Sequence, residues 1–419
     1  MTLTSVRLHS AMARFRRLAR QDSTFRLIDA YTPRVFGLFF QAYLITQFGV
    51  AAYALPGWAL GVLGVILTVL PDPHSYIIVR GAGARSRRLH ALSTLSIILK
   101  VLLASIIVLV MLATTASEGL YEPHGVSWIW VSCAALFYGG TEFLWAVLGT
   151  ISLANFQVRR VAIWGLGVRI ISMTLLVLAF ASGEVGIAGN LALASFPVFI
   201  TWLLLSPITL RWRRVSLFYI FSVLRYSGWL QGISFVTVAM LQMPSIFLGL
   251  WPNTDPAMVG AISFCNRILL AAFQPFQILQ SVVIRDASHA RLSGRKAERT
   301  SLWPIFKFGG LLFGLASLVG FGASWRFGYI SYSTFTLGVA MGLGIASSVW
   351  YRYELSEALG TQGARPVLVR GYLPSLGLTL LASTILMYMF GTVGLAASVL
   401  FGWIALSLSW KWTPNEGCI

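Results

Sequence analysis

Apolar residues along the chain gather into long runs that short polar or basic connections separate. A helix needs about 20 apolar residues to cross the hydrocarbon core of a bilayer, and the pattern predicts twelve such spans. They lie near 28–48, 51–70, 91–115, 127–150, 158–181, 187–210, 227–250, 257–283, 303–324, 328–350, 367–389 and 392–410. The sequence therefore predicts an all-α integral membrane protein with about twelve transmembrane helices.

The composition agrees with lipid as the main solvent. Of 419 residues, 57% are hydrophobic and 11% are charged, whereas soluble domains are about 25% charged. The chain is also basic, with 31 Lys and Arg against 13 Asp and Glu. A nucleic-acid-binding protein can be this basic but is not this apolar, so a nucleic-acid partner is excluded.

The positions of the basic residues predict the orientation. Twenty-four of them fall in the N-terminal segment, the even-numbered connections and the C-terminus, and the odd-numbered connections hold one, Arg326. Cytoplasmic loops collect Lys and Arg, so we expect a multi-pass protein of the cell inner (cytoplasmic) membrane with both termini cytoplasmic. Residues 1–26 fit a basic cytoplasmic segment on anionic lipid or, by composition alone, a mitochondrial transit peptide.

Sequence features of enzymes are scarce. The chain has no GxxxxGK[ST] loop, no His pair at i, i+4 and no metal-ligand spacing among its three cysteines. We therefore predict no catalytic residues, no metal and no cofactor. An envelope enzyme such as a polymerase or acyltransferase would need clustered catalytic residues or a large outer loop. Transport across the membrane is the favoured activity, and a drug or metabolite exporter, for example one of the major facilitator fold, is one form of it.

Nine charged residues fall at membrane depth or just inside its boundary. The bases are Arg34, Lys100, Arg169, Arg225, Arg267 and Lys307, and the acids are Asp29, Asp72 and Glu142. Such charges cost about 2.5–3.5 kcal/mol near the bilayer centre and persist where they pair or face a wet cavity. Lys100 and Lys307 are expected to reach the headgroups instead. For Glu142, pairing with a buried Arg and proton coupling are both open.

The excess of bases over acids favours an anion inside the helix bundle. Arg binds phosphate through two parallel hydrogen bonds and stays charged. We therefore predict that Arg34, Arg169 and Arg267 face a basic cavity for a phosphate-headed amphiphile. Arg225 fits the same role or a plain cytoplasmic-side charge. Asp29, one turn before Arg34, is a candidate for ion coupling or charge pairing.

Two segments resemble the polysaccharide flippases of the multidrug/oligosaccharidyl-lipid/polysaccharide (MOP) superfamily. The first runs from Arg34-Val-Phe-Gly37 to Phe48-Gly49-Val-Ala-Ala-Tyr53, where one helix ends and an aromatic-rich helix begins. The second runs from Val259-Gly260 through Phe264-Cys-Asn266-Arg267 to Gln274-Pro-Phe-Gln. Twelve spans, cytoplasmic termini and short loops add to this resemblance.

The resemblance implies two six-helix bundles around a central cavity, at 27–214 and 215–411, with a cytoplasmic tail at 412–419. It implies translocation of an undecaprenyl-diphosphate-linked oligosaccharide by alternating access, for exopolysaccharide or O-antigen biosynthesis. Arg34 and Arg267 match the family's cavity bases, and Arg80 matches the basic end of its second helix. The partners implied are the lipid-linked oligosaccharide, membrane lipids, and the polymerase and export proteins of the same pathway.

Overall fold

The computed structural model describes most of the chain between residues 25 and 409. The described residues are 25, 28–29, 31–69, 87–115, 128–154, 158–183, 185–205, 217–251, 254–292 and 302–409. Within these ranges all regular structure is helical and no strand occurs. A helix satisfies its backbone hydrogen bonds within its own segment, as a lipid environment requires.

The helices follow the predicted apolar runs. The first, α1, is helical at every described residue from 28 to 48. The others are α2 (Ala54–Val69), α3 (Arg87–Thr115), α4 (Trp128–Ala154), α5 (Val158–Ser182), α6 (Ile187–Leu205), α7 (Leu217–Leu250), α8 (Pro256–Leu292), α9 (Trp303–Arg326), α10 (Tyr332–Trp350), α11 (Arg352–Gln362), α12 (Ala364–Val367), a π-helix (Leu368–Tyr372) and α13 (Leu373–Leu408).

The prediction of an all-helical membrane protein is confirmed. Among the described residues, eight helices are long and apolar enough to cross a membrane, and α13 is part of a continuous 45-residue stretch. Gly391 breaks α13 with φ 61° and ψ −141°, so the predicted spans eleven and twelve meet there without a loop. Large side chains such as Phe308 and Val319 lie exposed on α9, as lipid-facing residues do.

The first of two compact units comprises Met1–Leu44, Asp72–Leu109 and Val126–Leu224. In it α6 packs against both α4 and α5. The buried cluster between them is built from large side chains, among them Trp145, Leu148, Val168 and Trp202. Lipid is as apolar as these side chains, so close van der Waals packing rather than exclusion of water holds such helices together.

The second unit comprises Ile45–Pro71, Val110–Gly125 and Arg225–Ile419, and α10 packs there against α8, α9 and α13. Small residues bring these helices close, since a Cβ on Gly342 would collide with the Ser317 side chain of α9. Across the α10–α13 contact the hydroxyls of Ser347 and Ser407 share a hydrogen bond of 3.1 Å. Small residues and hydroxyls of this kind favour helix association in lipid.

The second helix belongs to this second unit, although the predicted division at 214/215 would put it with the first. It packs against α8, and a Cβ on Gly260 of α8 would overlap the carbonyl oxygen of Val50. The indole of Trp58 donates to the carbonyl of Ile246 at 3.3 Å. A small residue on α8 therefore allows the chain at the start of α2 to approach closely. The division into 27–214 and 215–411 stays a prediction.

The connection after α10 is helical, where the sequence pattern indicated a basic loop. Helix α11 begins at Arg352 and packs against α8. Gly363, at φ 89°, ends it, and the short α12 and the π-helix then lead into α13. These elements place Arg352 and Tyr372 inside the second unit.

Candidate functional site: intramembrane charges

Four charged residues of the first unit come together across three helices. We call Asp29 and Arg34 of α1, Glu142 of α4 and Arg169 of α5 the first-unit cluster. The helices can approach here because Gly165 of α5 faces the indole of Trp145, where a Cβ would lie only 3.0 Å from the ring. The cluster holds two acids and two bases, so its formal charges balance.

Arg169 and Glu142 form the strongest contact in the cluster. The guanidinium donates from Nη1 to Oε1 at 2.7 Å and from Nη2 to Oε2 at 2.8 Å, the two-pronged geometry in which Arg binds carboxylates best. Arg169 is 2% exposed and Glu142 is 21% exposed, and the ring of Phe36 lies 5.4 Å from the guanidinium carbon. Of the two roles left open for Glu142, charge pairing is the one seen in this structure.

Asp29 connects the remaining base to this pair. Its carboxylate interacts electrostatically with Arg169 and with Arg34, and it accepts a long hydrogen bond of 3.4 Å from the indole of Trp145. Arg34 is half-buried and also interacts with Tyr31. Asp29 is therefore shared between two guanidinium groups, whereas Glu142 is committed to one.

The second unit contains Arg267, the predicted mid-depth base. It lies half-buried on α8 and interacts electrostatically with the buried hydroxyl of Tyr53, at the start of α2. No carboxylate forms an ion pair with Arg267 in the part of the chain that the structure describes. Its charge is therefore not neutralised by an acid, unlike that of Arg169.

The polar residues beside Arg267 are neutral. Asn266, its buried neighbour on α8, donates to the Gln242 amide oxygen and to the Ser245 hydroxyl of α7, both at 3.3 Å. Ser263, one turn earlier on the same face of α8, is buried, and its hydroxyl has no hydrogen-bond partner. This surrounding supplies hydrogen bonds and no negative charge.

Lys100 and Lys307, which were expected to reach the headgroups, both have partners within the protein. Lys100 is buried, with its ammonium 5.2 Å from the ring centre of Phe143. Lys307 forms an ion pair of 2.8 Å with Glu354 of α11 and donates to the carbonyl of Trp350 at 2.8 Å. Both ammonium groups therefore interact with residues of their own units.

Arg352 is a buried base that sequence reasoning placed in a connection. It is 4% exposed, although it follows directly after α10. Its Nε donates to the side-chain oxygen of Gln280 at 2.8 Å, and its guanidinium lies 5.1 Å from the ring centre of Phe273, both on α8. The signal in the sequence was its setting, Trp350-Tyr-Arg-Tyr353, in which aromatic residues stand on both sides of the base.

Two predicted site residues cannot be placed in the same detail. Arg80 lies outside the described residues. Arg225 lies on α7, but its side chain is outside the described part of the structure. No group of three or more metal-ligating side chains occurs among the described residues.

Comparison with solved structures identifies the fold. Over 92% of this chain and 86% of the other, the structure is similar to the lipid II flippase MurJ in an inward closed conformation, with TM-score 0.60 and 15% identity. It is similar to an inward-facing multidrug resistance MATE family transporter of the MOP superfamily, with TM-score 0.57, 14% identity and 93% of each chain covered. The Vibrio cholerae MATE transporter VcmN, in its bent form, matches at TM-score 0.51 and 12% identity over 96% of this chain and 97% of that one.

These similarities establish a fold shared with MATE transporters and MurJ, in agreement with a multi-pass membrane protein. No family model matches the sequence. A search of curated proteins finds no significant match. The neighbours named here are transporters and a flippase rather than enzymes.

Proposed function

We propose that this chain is a flippase that moves an undecaprenyl-diphosphate-linked oligosaccharide across the cytoplasmic membrane by alternating access, for polysaccharide biosynthesis. The fold supports a transporter or flippase, since one structural neighbour is a lipid II flippase and others are multidrug transporters. The basic residues within the spans support a diphosphate-bearing substrate in particular. In this proposal the chain has no catalytic residues and works beside a polymerase and export proteins.

The observation that carries the proposal is Arg267. It lies within an apolar span, is half-buried, and has neutral polar neighbours. An intramembrane Arg is expensive and points to function by default, and a guanidinium binds phosphate oxygens through two parallel hydrogen bonds. A cation substrate would need carboxylates at this place, and none is paired with Arg267 among the described residues.

Arg34 is the base we propose for the substrate in the first unit. Asp29, the acid that interacts with Arg34, also interacts with Arg169. The charge of Arg34 is therefore only partly paired, and a substrate phosphate can bind it as well. Arg169 itself is held by Glu142 at 2.7 and 2.8 Å, and we propose that it contacts substrate only after that pair opens. Arg80 and Arg225 remain proposed bases near the cytoplasmic entrance.

The test is complementation of a strain that lacks this protein. Arg267→Ala is expected to abolish surface polysaccharide while the amount of protein in the membrane stays normal. Arg326→Ala, at an exposed Arg at the end of α9, is the matched control and is expected to complement fully. Arg267→Lys tests geometry, because Lys keeps the charge but loses the two-pronged contact. Equal complementation by Arg267→Ala and wild type would contradict the proposal.

A drug or metabolite exporter of the same fold is the second candidate. Two observations favour it, the MATE neighbours and the carboxylates Asp29 and Glu142 in the first-unit cluster. Under this alternative, loss of the protein raises sensitivity to exported compounds and leaves surface polysaccharide unchanged. Measuring both properties in one deletion strain separates the two candidates.

A further inference from the structure

The second unit buries a second arginine where α8, α11 and the π-helix meet. Arg352 is 4% exposed. Its Nε is satisfied by the Gln280 side chain at 2.8 Å, and the ring of Phe273, itself fully buried, covers one face of the guanidinium. These contacts hold the side chain in place, but none of them is negatively charged.

The charge of Arg352 is uncompensated in this structure. Its Nη1 is buried without a hydrogen-bond partner, and no described carboxylate lies within ion-pair distance. The acid nearest in sequence, Glu354, makes no ion pair with Arg352: its Oε1 pairs with Lys307 at 2.8 Å and accepts from the indole of Trp303 at 3.2 Å, and its Oε2 is buried without a hydrogen-bond partner. A buried ion without a partner is strongly destabilising, so this place favours an added negative charge.

Two groups near the Arg352 guanidinium can donate further hydrogen bonds. The hydroxyl of Tyr372, on the π-helix, is fully buried, interacts electrostatically with Arg352 and makes no hydrogen bond of ordinary geometry. Thr237 lies beside it and donates its own proton to the carbonyl of Ile233 at 3.0 Å, so its hydroxyl oxygen faces Tyr372 as an acceptor and has no proton to give to an anion. Gln280 uses its oxygen for Arg352, which leaves its amide N–H groups to donate.

The geometry points to a binding site for one small inorganic anion, such as chloride, held by Arg352 Nη1, the Tyr372 hydroxyl and the Gln280 amide. The positive charge of Arg352, with no described carboxylate paired to it, excludes a cation. A phosphate ion would bring four oxygens to a site with three donors that Phe273 covers, so a single-atom anion is the better match. Such an anion joins α8, α11 and the π-helix, and therefore stabilises this end of the second unit.

The first experiment measures thermal unfolding of the full-length protein in detergent at constant ionic strength, with chloride exchanged for gluconate. An anion that binds the folded state alone stabilises it, by an amount that grows with the logarithm of the anion concentration once this exceeds the dissociation constant. We expect a rise in Tm of about 2–4 °C with chloride, and the same rise with bromide. An absence of any halide-specific shift in the wild-type protein would overturn the proposal.

The second experiment supplies the negative charge within the chain. Gln280→Glu places a carboxylate on the Arg352 guanidinium, so Tm in gluconate is expected to reach the wild-type value in chloride, and the chloride shift is expected to disappear. Gln277→Glu, the same change on the same helix at a half-buried position, is the matched control and keeps the shift. A Gln280→Glu protein with an unchanged chloride shift would refute the site.

The third variant removes a single donor without touching the charge. Tyr372→Phe is expected to raise the half-saturating chloride concentration about tenfold, since it removes one charge-assisted hydrogen bond. Unchanged chloride dependence in this variant would remove Tyr372 from the site and overturn the proposed donor set. All three measurements report on stability, so they stay valid whichever substrate the protein carries.

Discussion

The two units differ in what surrounds the arginines within their membrane spans. In the first unit Arg169 is locked to Glu142 by two hydrogen bonds, and Asp29 serves Arg34 and Arg169 together. In the second unit Arg267 has neutral polar neighbours and no ion pair among the described residues, and Arg352 has Gln280 and an aromatic face. The comparison shows that a basic residue within the membrane spans can have either of two roles. A paired base holds helices together, whereas an unpaired base is available to an anion.

Breaking the pair in the first unit is the largest effect that the comparison predicts. Glu142→Leu leaves Arg169 buried with only its share of Asp29 for an acid, and removal of one partner of a buried ion pair costs about 3–5 kcal/mol. We expect the protein to be largely lost from the membrane, as measured by immunoblot, and to unfold at lower denaturant when purified.

The double variant Glu142→Leu/Arg169→Met is the control for that result. It removes both charges, so it is expected to regain most of the lost stability, because apolar side chains of similar size replace a buried pair well. If the double variant were as unstable as the single one, the instability of Glu142→Leu would not come from the unpaired charge of Arg169.

Adding an acid to the second unit tests the other side of the comparison. Ser263→Asp places a carboxylate one turn before Arg267 on the same helix face, a favourable spacing for an ion pair. We expect normal protein levels and at least a tenfold fall in surface polysaccharide, since a hydrogen bond to a charged group contributes about 1.5–3 kcal/mol.

Ser263→Asn is the matched control, because it has the size of Asp without its charge. It is expected to support near-normal polysaccharide. An equal loss in both variants would mean that crowding against α2, which lies close to Ser263 at Gly57, explains the effect rather than neutralisation of Arg267.

The smallest effect concerns the one ion pair seen in the described part of the second unit. Lys307 and Glu354 are 13% and 19% exposed, and Lys307 also contacts the carbonyl of Trp350 and three aromatic rings. Lys307→Met keeps most of the packing and leaves Glu354 its hydrogen bond from Trp303 at 3.2 Å, so we expect a smaller loss in unfolding free energy than for Glu142→Leu, about 2 kcal/mol, and normal transport. A loss as large as that of Glu142→Leu would show that the two ion pairs contribute equally to stability, which would contradict this ranking.

The spans were predictable from sequence because a bilayer sets both the length and the apolar character of a helix that crosses it. Each predicted run is helical over most of its described length, including the two that meet at Gly391. The place of α2 was not predictable, since its contact with α8 depends on a close approach at Gly260. Apolar periodicity does not report which helices touch.

The candidate site was predictable in part. Arg34, Arg169, Arg267 and Glu142 could be singled out, because charges within apolar runs are rare. The partner of Glu142 could not be named, since Arg169 lies 27 residues away on another helix. Arg352 was missed because its Cα lies beyond the end of a span, while its long side chain extends back into the helices. The Cα and the guanidinium group of an arginine can lie at different depths, because the side chain is long.

The turn at Gly391 has a consequence for the biogenesis of the protein. Since one residue with positive φ joins two apolar helices, there is almost no polar chain between them to hold them apart during insertion. The two helices can therefore enter the bilayer as a preformed hairpin, with a hydrogen bond of 2.7 Å between Ser383 and Ser398 already available across it. An epitope tag inserted after Gly391 would separate this hairpin, whereas the turn at Gly328, between α9 and α10, offers exposed chain for the same purpose.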